Sequence, residues 1–148
     1  MRAILLGLAA ALFASTLAAA QDTRTPVGTV DSFHKALAIG NTAGVLALLA
    51  RELVVYEYGL VDPTLEAYAF KHLPTDMDYA AATEWALESR RTGGTGEFYW
   101  VLSTYRVTGT DKAGQAIDQN TLETVLLRRM GEGFRIVHFH WSTVPGVK

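Results

Sequence analysis

The chain has 148 residues, of which 13 are basic and 15 acidic, and it contains no cysteine. This length fits one domain with a core of its own. The formal net charge of −2 at pH 7, without any basic patch, argues against a nucleic-acid partner. Because cysteine is absent, disulfides, thiol catalysis and cysteine-based metal sites are excluded, and a bound metal would need His, Asp or Glu ligands.

Residues 1–20 have the pattern of a secretory signal peptide. Arg2 precedes an apolar run that closes on Ala18-Ala19-Ala20, a small-residue cleavage site. A membrane anchor would need about 20 apolar residues in the core of the segment, whereas two hydroxyl residues interrupt this run. We therefore expect cleavage, a periplasmic or secreted product with no stable membrane anchor, and a single domain over residues 21–148.

Two helices are predicted at the start of the mature chain. In TPVGTVDSFHKALAIGN, apolar residues recur every three or four positions, and the opening Thr-Pro and closing Gly-Asn are typical of helix ends. TAGVLALLA, from about Thr42, predicts a second and shorter helix. The two helices should form a hairpin with one apolar side.

A strand and a further helical region follow. ELVVYEYG is β-branched and aromatic and stops at Gly59, which is typical of a strand. VDPTLEAYAFKHLPTDMDYAAAT has a helical composition. Pro74 disfavours helical dihedrals at Leu73, so we expect a kink or a restart of the helix there.

The rest of the chain predicts four strands. EWALESRRT, EFYWVLSTYRVTG and NTLETVLLRR are separated by glycine-rich turns, and RIVHFHWSTVP is the last strand. Helices come first and antiparallel strands last, without βαβ alternation. This order indicates an α+β fold with a meander sheet.

The last strand places His138 and His140 two residues apart. In a regular strand both rings point to one face, whereas Val137, Phe139 and Trp141 point to the other. Both faces are largely apolar, so the helices should cover one of them. We expect a second subunit to cover the other, in a homodimer formed through Val137, Phe139 and Trp141.

The turn before this strand predicts the neighbours of the two histidines. A two-residue turn at Gly131-Glu132 would place Glu123 opposite His140 and Val125 opposite His138. A carboxylate in that position would hold the orientation of the imidazole ring. We expect His140, near the wetter end of the strand, to contact a ligand, and His138 to lie deeper with a fixed internal partner.

Four further residues are candidates for the same pocket. Glu57 is embedded among apolar strand residues, His72 and Asp76 fall on one face of a helix if it continues across the proline, and Trp100 could form the floor. Each also has a plainer explanation. Glu57 could face water at a strand edge, His72 could be a surface or capping residue, Asp76 could favour the first turn of a restarted helix, and Trp100 could be a core aromatic.

The assembled pattern resembles a known family. The two N-terminal helices, the strand VVYEYG, a third helix and the ending LETVLLRRMGEGFRIVHFHWS resemble the nuclear transport factor 2-like superfamily, in its SnoaL-like branch. The Val-His-Phe-His strand is similar to the end of the association domain of calcium/calmodulin-dependent kinase II. HLPTDM resembles exported bacterial members, and the resemblance extends from Pro26 to Thr143.

The resemblance implies a conical α+β fold. N-terminal helices would pack on a strongly curved, mainly antiparallel sheet around an internal pocket, with a dimer across the sheet. The superfamily includes ketosteroid isomerase, scytalone dehydratase, polyketide cyclases and non-catalytic modules, so the fold does not fix the activity. The Asp and Tyr pattern of the isomerase has no residue-by-residue match here, and no catalytic residue is carried over.

Three functions are consistent with these observations. The first is an exported pocket protein that binds a small organic ligand and acts as an acid/base lyase, cyclase or isomerase through His140 with Glu57 or Glu123. The second is a non-catalytic dimeric binding or assembly module. The third is a divalent-metal site built from Glu57, His72, Asp76 and His140; apart from such a metal, no cofactor is expected.

Overall fold

The computed structural model describes residues 22–146. The predicted signal peptide lies outside these residues, so its cleavage stays a prediction. No helix within 22–146 is long and apolar enough to cross a membrane. In chain order the elements are α1 (Pro26–Ala38), α2 (Thr42–Leu48), β1 (Leu49–Glu57), β2 (Leu60–Asp62), α3 (Leu65–Lys71), α4 (Leu73–Ala82), β3 (Thr83–Thr95), β4 (Phe98–Thr110), β5 (Ala116–Met130) and β6 (Gly133–Pro145).

The predicted helical hairpin is present, with capped ends. Thr25 accepts a hydrogen bond from the Gly28 amide at 2.9 Å and thereby satisfies one of the free donors at the start of α1. Gly40 takes a positive φ of 66° after α1, a conformation that glycine adopts without a steric penalty. Asn41 then caps α2 by accepting from the Gly44 amide at 2.9 Å.

The predicted restart at Pro74 is also present. α3 is capped by Thr64 and ends at Lys71, and α4 begins at Leu73 with the proline in its first turn. Proline fits there because the first amides of a helix lack intrahelical partners. The restart places Asp76 in the first turn of α4, where the helix dipole favours an acidic side chain.

The six strands form one sheet in the order β2-β1-β6-β5-β4-β3. β3 to β6 are an antiparallel meander, β1 and β2 are an antiparallel hairpin, and β1 runs parallel to β6. The helices cover one face, here called the inner face, and the core lies between them and the sheet. The α+β prediction is confirmed, while the short strand β2 was not predicted.

The β5–β6 hairpin begins in the predicted register. The turn at Gly131-Glu132 pairs Met130 with Gly133, and Leu127 pairs with Ile136 as expected. A β-bulge then interrupts the ladder between the Leu127–Ile136 pair and the Leu126–His138 pair, and the register shifts by one residue. Such a bulge adds one unpaired residue to one strand.

The bulge reverses which side chains of β6 face the core. Val137 is the extra residue, so the expected pairing of Glu123 with His140 is wrong, and Glu123 instead pairs with Trp141. A one-residue shift moves every later side chain to the opposite face. Phe139 and Trp141, expected at a subunit interface, therefore lie in the core with 0% and 5% of their surface exposed.

His138 and His140 lie on the outer face of the sheet, not in a common pocket with the core residues. Their rings pack against Tyr56, with centroids 5.1 and 6.4 Å from the Tyr56 ring. His138 Nδ1 is 2.8 Å from the Val54 carbonyl oxygen. The expectation that these two histidines share the inner face is wrong, because the bulge lies between them and the turn.

Candidate functional site

A cavity of about 320 Å³ lies between α1, α4 and the inner face of the sheet. This volume is at the small end of the usual range for ligand pockets, about 300 to 1,000 Å³. The walls are mainly apolar. The aromatic lining residues are Tyr58, Tyr79, Trp85 and Trp141, and the ionisable ones on the walls and rim also include His34, Lys35, Glu57 and Asp76.

One wall of the cavity carries a histidine held by a buried carboxylate. His34 Nε2 on α1 is 2.6 Å from Glu123 Oε2 on β5, and the Glu123 side chain is fully buried. Trp141 Nε1 donates to the same oxygen at 2.8 Å, and the Tyr105 hydroxyl lies 3.3 Å from Oε1. Glu123 therefore accepts hydrogen bonds at both oxygens.

These contacts keep Glu123 ionised although it is buried. Burial alone would raise the pKa of Glu123, but the charge and hydrogen bond of His34, the hydrogen bond from Trp141 and the charge of Arg90 together lower its pKa below the ordinary value. Burial and the Glu123 charge raise the pKa of Tyr105 to about 12. The Tyr105 hydroxyl thus remains a donor to the carboxylate.

Arg90 on β3 extends this network to the surface. Its guanidinium donates to the Tyr105 hydroxyl at 2.7 Å, to Ser103 Oγ at 3.1 Å and to Asp31 Oδ1 at 2.7 Å. The guanidinium fork has five donors in a fixed plane, so these contacts restrict its orientation. Arg90 accordingly holds a positive charge behind Glu123.

An ionised Glu123 fixes the proton of a neutral His34 ring. Because a carboxylate only accepts, His34 must donate from Nε2, and the other ring nitrogen then carries a lone pair. Nδ1 has no hydrogen-bond partner among residues 22–146. The ring is clamped by aromatic neighbours, with centroid distances of 5.1 Å to Trp85 and 5.3 Å to Tyr105. The arrangement is that of a positioned general base.

The opposite part of the cavity is acidic, and the β1–β2 hairpin builds it. Tyr58 and Gly59 form the two-residue turn, with φ of 48° and 77°, as such tight hairpin turns require. Val55 pairs with Asp62 across the hairpin, so Asp62 lies on the same inner face as Glu57, two residues along β1. Both carboxylates are buried.

α3 and α4 add the remaining members of the acidic group. The Tyr68 hydroxyl donates to Asp76 Oδ2 at 2.8 Å, and Tyr68 is fully buried. His72, between the two helices, contacts Asp62 Oδ2 through Nδ1. The predicted pairing of His72 with Asp76 on one helix face is therefore wrong, because the helix restarts between them and His72 turns to Asp62.

Glu57 and Asp76 share one proton near neutral pH. Burial, followed by the charges of Asp76 and Asp62, raises the pKa of Glu57 to about 8. Burial raises the pKa of Asp76 to about 6, although the hydrogen bond from Tyr68 and the charge of His72 oppose the rise. Within residues 22–146, an ionised Glu57 would have no donor for its buried Oε2. When Glu57 is protonated, its carboxyl group instead hydrogen-bonds Asp76.

The predicted site residues fall into two groups. Glu57 and Asp76 line the cavity, Glu123 lies behind the wall under His34, and His72 lies behind the acidic group through Asp62. The other three are on the outer face of the sheet. They are His138, His140 and Trp100, and Trp100 packs over Gly93.

The structure does not assemble the predicted metal ligands. Glu57, His72 and Asp76 lie in one region, but His140 is on the other face of the sheet. Within residues 22–146, no group of three or more His, Asp or Glu side chains is arranged to hold a metal ion.

The sequence did not predict His34, Asp62 and Arg90 as site residues. His34 lies one helical turn after Val30 and one before Leu37, on the apolar stripe of α1, and this position was a usable signal. Asp62 belongs to the stretch for which the sequence predicted a helical region. Arg90 reaches Tyr105 across a strand pair, and nothing in its local sequence indicates that contact.

The family can be stated from the sequence match. Residues 28–146 match the model of the SnoaL-like domain. The chain belongs to the SnoaL-like domain family. The match spans both walls of the cavity, from α1 to the end of β6, and it confirms the resemblance stated above. No curated protein matches this SnoaL-like chain significantly.

Solved structures show the same fold. A proposed ketosteroid isomerase from Shewanella frigidimarina is 34% identical, with a TM-score of 0.75, over 82% of this chain and 96% of that one. A proposed calcium/calmodulin-dependent protein kinase II association domain from Xanthomonas campestris is 21% identical, with a TM-score of 0.69, over 82% and 86%. A nuclear transport factor 2-like protein of unknown function from Pseudomonas putida is 19% identical, with a TM-score of 0.63, over 77% and 80%.

Proposed function

We propose that this SnoaL-like protein binds a small organic molecule in its cavity and catalyses proton transfer at it, as an isomerase, lyase or cyclase does. The observation that carries the proposal is the His34–Glu123 pair. His34 lines the cavity, Glu123 is 2.6 Å from its Nε2, and Nδ1 has no partner among residues 22–146. A base held in this way can accept a proton from a bound ligand.

The surroundings of His34 suit this role. Glu123 stabilises the positive charge that the ring gains when Nδ1 takes up a proton, and burial strengthens this interaction. Trp85 and Tyr105 restrict the ring, so the ligand meets a base in one orientation. The mainly apolar walls would limit the water that competes for the same proton.

The acidic pair gives the ligand a polar anchor across the cavity. Glu57 and Asp76 are two buried carboxylates that share one proton, so one can donate while the other accepts. Apolar pockets with a few convergent polar groups are typical of small-molecule sites. The likeness to the proposed ketosteroid isomerase supports the same class of reaction for this chain.

Deuterium exchange tests the proposal without knowledge of the natural substrate. Wild-type protein in D₂O, mixed with a panel of small ketones with and without amino groups, should accelerate exchange at the carbon next to a carbonyl for at least one compound. His34→Gln should lower that acceleration by about 100-fold or more, the usual contribution of a general base. NMR of the ketone reads out the exchange.

His140→Gln is the matched control, because it removes a histidine from the outer face. It should exchange as fast as wild type. Equal rates for wild type and folded His34→Gln, or no acceleration of any compound by wild type, would refute the proposed activity.

We propose in addition that the protein is a homodimer, formed through the outer face of the sheet. Leu102, Leu122 and Leu126 are large apolar residues on that face, each between 39% and 56% exposed. Exposed apolar patches usually mark interfaces. A non-catalytic assembly module, the second hypothesis from the sequence, would use the same face, and the likeness to an association domain favours it as the alternative.

We also propose that the protein is exported and cleaved after Ala20, as the signal-peptide pattern of residues 1–20 predicts. Mass spectrometry of the protein from the periplasm or medium should give a chain that begins at Gln21. An intact Met1 would contradict this.

A further inference from the structure

We propose that the Glu57–Asp76 side of the cavity binds the ammonium group of a small organic amine. This inference deepens the proposed function, on which it rests, by naming the class of ligand. Glu57 and Asp76 would hold the charged nitrogen, and the aromatic walls would hold the organic part next to His34.

The acidic group has more carboxylates than basic partners. It contains three buried carboxylates, with exposed fractions of 9% for Glu57, 1% for Asp62 and 7% for Asp76. Among residues 22–146, the ion pairs give this group one basic partner, His72 on Asp62. Several buried carboxylates beside one histidine leave negative charge that a bound cation would balance.

Two buried oxygens also lack a donor. Glu57 Oε2 and Asp62 Oδ1 have no hydrogen-bond donor within the described chain. Glu57 lines the cavity, so a donor carried by a ligand can reach this residue. In the ionised form of Glu57, Oε2 is a buried acceptor without a donor, which is costly, and a ligand that donates there removes the cost.

An ammonium group fits this surrounding better than a metal ion does. Within residues 22–146, no three His, Asp or Glu side chains have an arrangement that could hold a metal. An ammonium group needs no fixed coordination geometry, since its N–H donors rotate to meet the available oxygens. Tyr58, Tyr79, Trp85 and Trp141 line the same cavity, and aromatic faces attract organic cations.

Binding of a cation should release a proton. The titratable groups around Glu57 are Asp62 on β2, Tyr58 in the hairpin turn, Tyr68 on α3, His72 between the helices, Asp76 and Tyr79 on α4 and, on the α1 wall, His34 and Lys35. In the free protein Glu57 is protonated below its pKa of about 8. A positive charge beside it favours the ionised form, so affinity for an amine cation should rise with pH up to about 8.

Calorimetric titration tests the inference with benzylammonium, benzyl alcohol and benzoate, three probes of similar size and different charge. Between pH about 6 and about 8, benzylammonium should bind at least 10-fold more tightly than either other probe. The binding enthalpy of benzylammonium, measured in buffers with different ionisation enthalpies, should show that close to one proton is released per molecule bound. Benzyl alcohol should release none.

Two variants locate the effect. Glu57→Gln keeps the shape of the side chain. It should lower the affinity for benzylammonium by about 10-fold or more and abolish proton release, while the affinity for benzyl alcohol stays unchanged. Glu84→Gln, the same change at an exposed position on β3, should behave as wild type. Asp76→Asn should also lower the affinity for benzylammonium, and this variant tests the inference if Glu57→Gln does not fold.

Equal binding of the three probes, or unchanged benzylammonium affinity in folded Glu57→Gln, would overturn the inference. Its failure is distinguishable from failure of the proposed function. If neutral ketones exchange as fast as amino ketones, the proposed activity is supported and the proposed amine ligand is refuted. If amine binding releases a proton but no ketone exchanges, the amine site is supported and the proposed activity is refuted.

Discussion

Glu57 and Glu123 are both buried carboxylates on the inner side of the sheet, yet their surroundings shift their pKa values in opposite directions. The charge and hydrogen bond of His34, the hydrogen bond from Trp141 and the charge of Arg90 lower the pKa of Glu123 despite burial. Burial, followed by the charges of Asp76 and Asp62, raises the pKa of Glu57 to about 8. Carboxyl groups whose pKa values are separated in this way are typical of acid/base sites.

Glu57 should make the protein less stable as the pH rises. Its pKa is about 8 in the folded protein and about 4.5 in the unfolded chain, so the folded state holds an extra proton between these values. The stability is therefore fully present below pH about 4.5 and is lost as the pH rises through about 8. The slope for one proton is at most about 1.4 kcal/mol per pH unit.

Thermal melts across this pH range measure the effect. Glu57→Gln should flatten the fall in Tm between pH about 6, where Asp76 titrates, and about 8. Glu84→Gln should retain the wild-type slope, since Glu84 is exposed. An identical pH dependence of wild type and Glu57→Gln would show that Glu57 titrates normally.

Within the sheet, one bulged residue determines which side chains reach the site. Val137 interrupts the pairing of β6 with β5 and turns Trp141 toward Glu123. Without the bulge, the continuous register would give His140 that place. A bulge between two apolar strands has no marker in this sequence, so the faces of β6 beyond it could not be predicted.

The other elements show which features a sequence can predict. The helix start at Thr25 and the restart at Pro74 depend on neighbouring residues, and both were predicted. The contact of His34 with Glu123 joins residues 89 positions apart, and it depends on how α1 packs on the sheet. Such contacts depend on the tertiary fold, and the local sequence indicates them only weakly.

In the protein as a whole, the helices within residues 22–146 form a single layer and leave the outer face of the sheet uncovered by the described chain. Large apolar side chains remain exposed there, with His138 and His140 beside Tyr56. The cavity lies on the inner side, so the proposed interface and the proposed site are on opposite faces of one sheet. Disruption of the interface need not disturb the cavity.

Leu122→Lys should convert the proposed dimer to monomers, because it places a charge in the middle of the outer face. Light scattering after gel filtration measures the mass. Leu60→Lys is the matched control, since Leu60 has the same exposed fraction, 56%, but lies on the other face, at β2. A monomeric wild type, or a Leu122→Lys variant that remains dimeric, would contradict the proposed interface.

The most direct test concerns the proton on His34. Nitrogen NMR of the histidine rings, recorded at a pH where they are neutral and assigned with His34→Gln, reports which nitrogen is protonated. We expect the proton on Nε2, facing Glu123, and an unprotonated Nδ1. Glu123→Gln should weaken this preference. A proton on Nδ1 in the wild type would contradict the proposed role of His34, since that nitrogen could then not accept a proton from a ligand in the cavity.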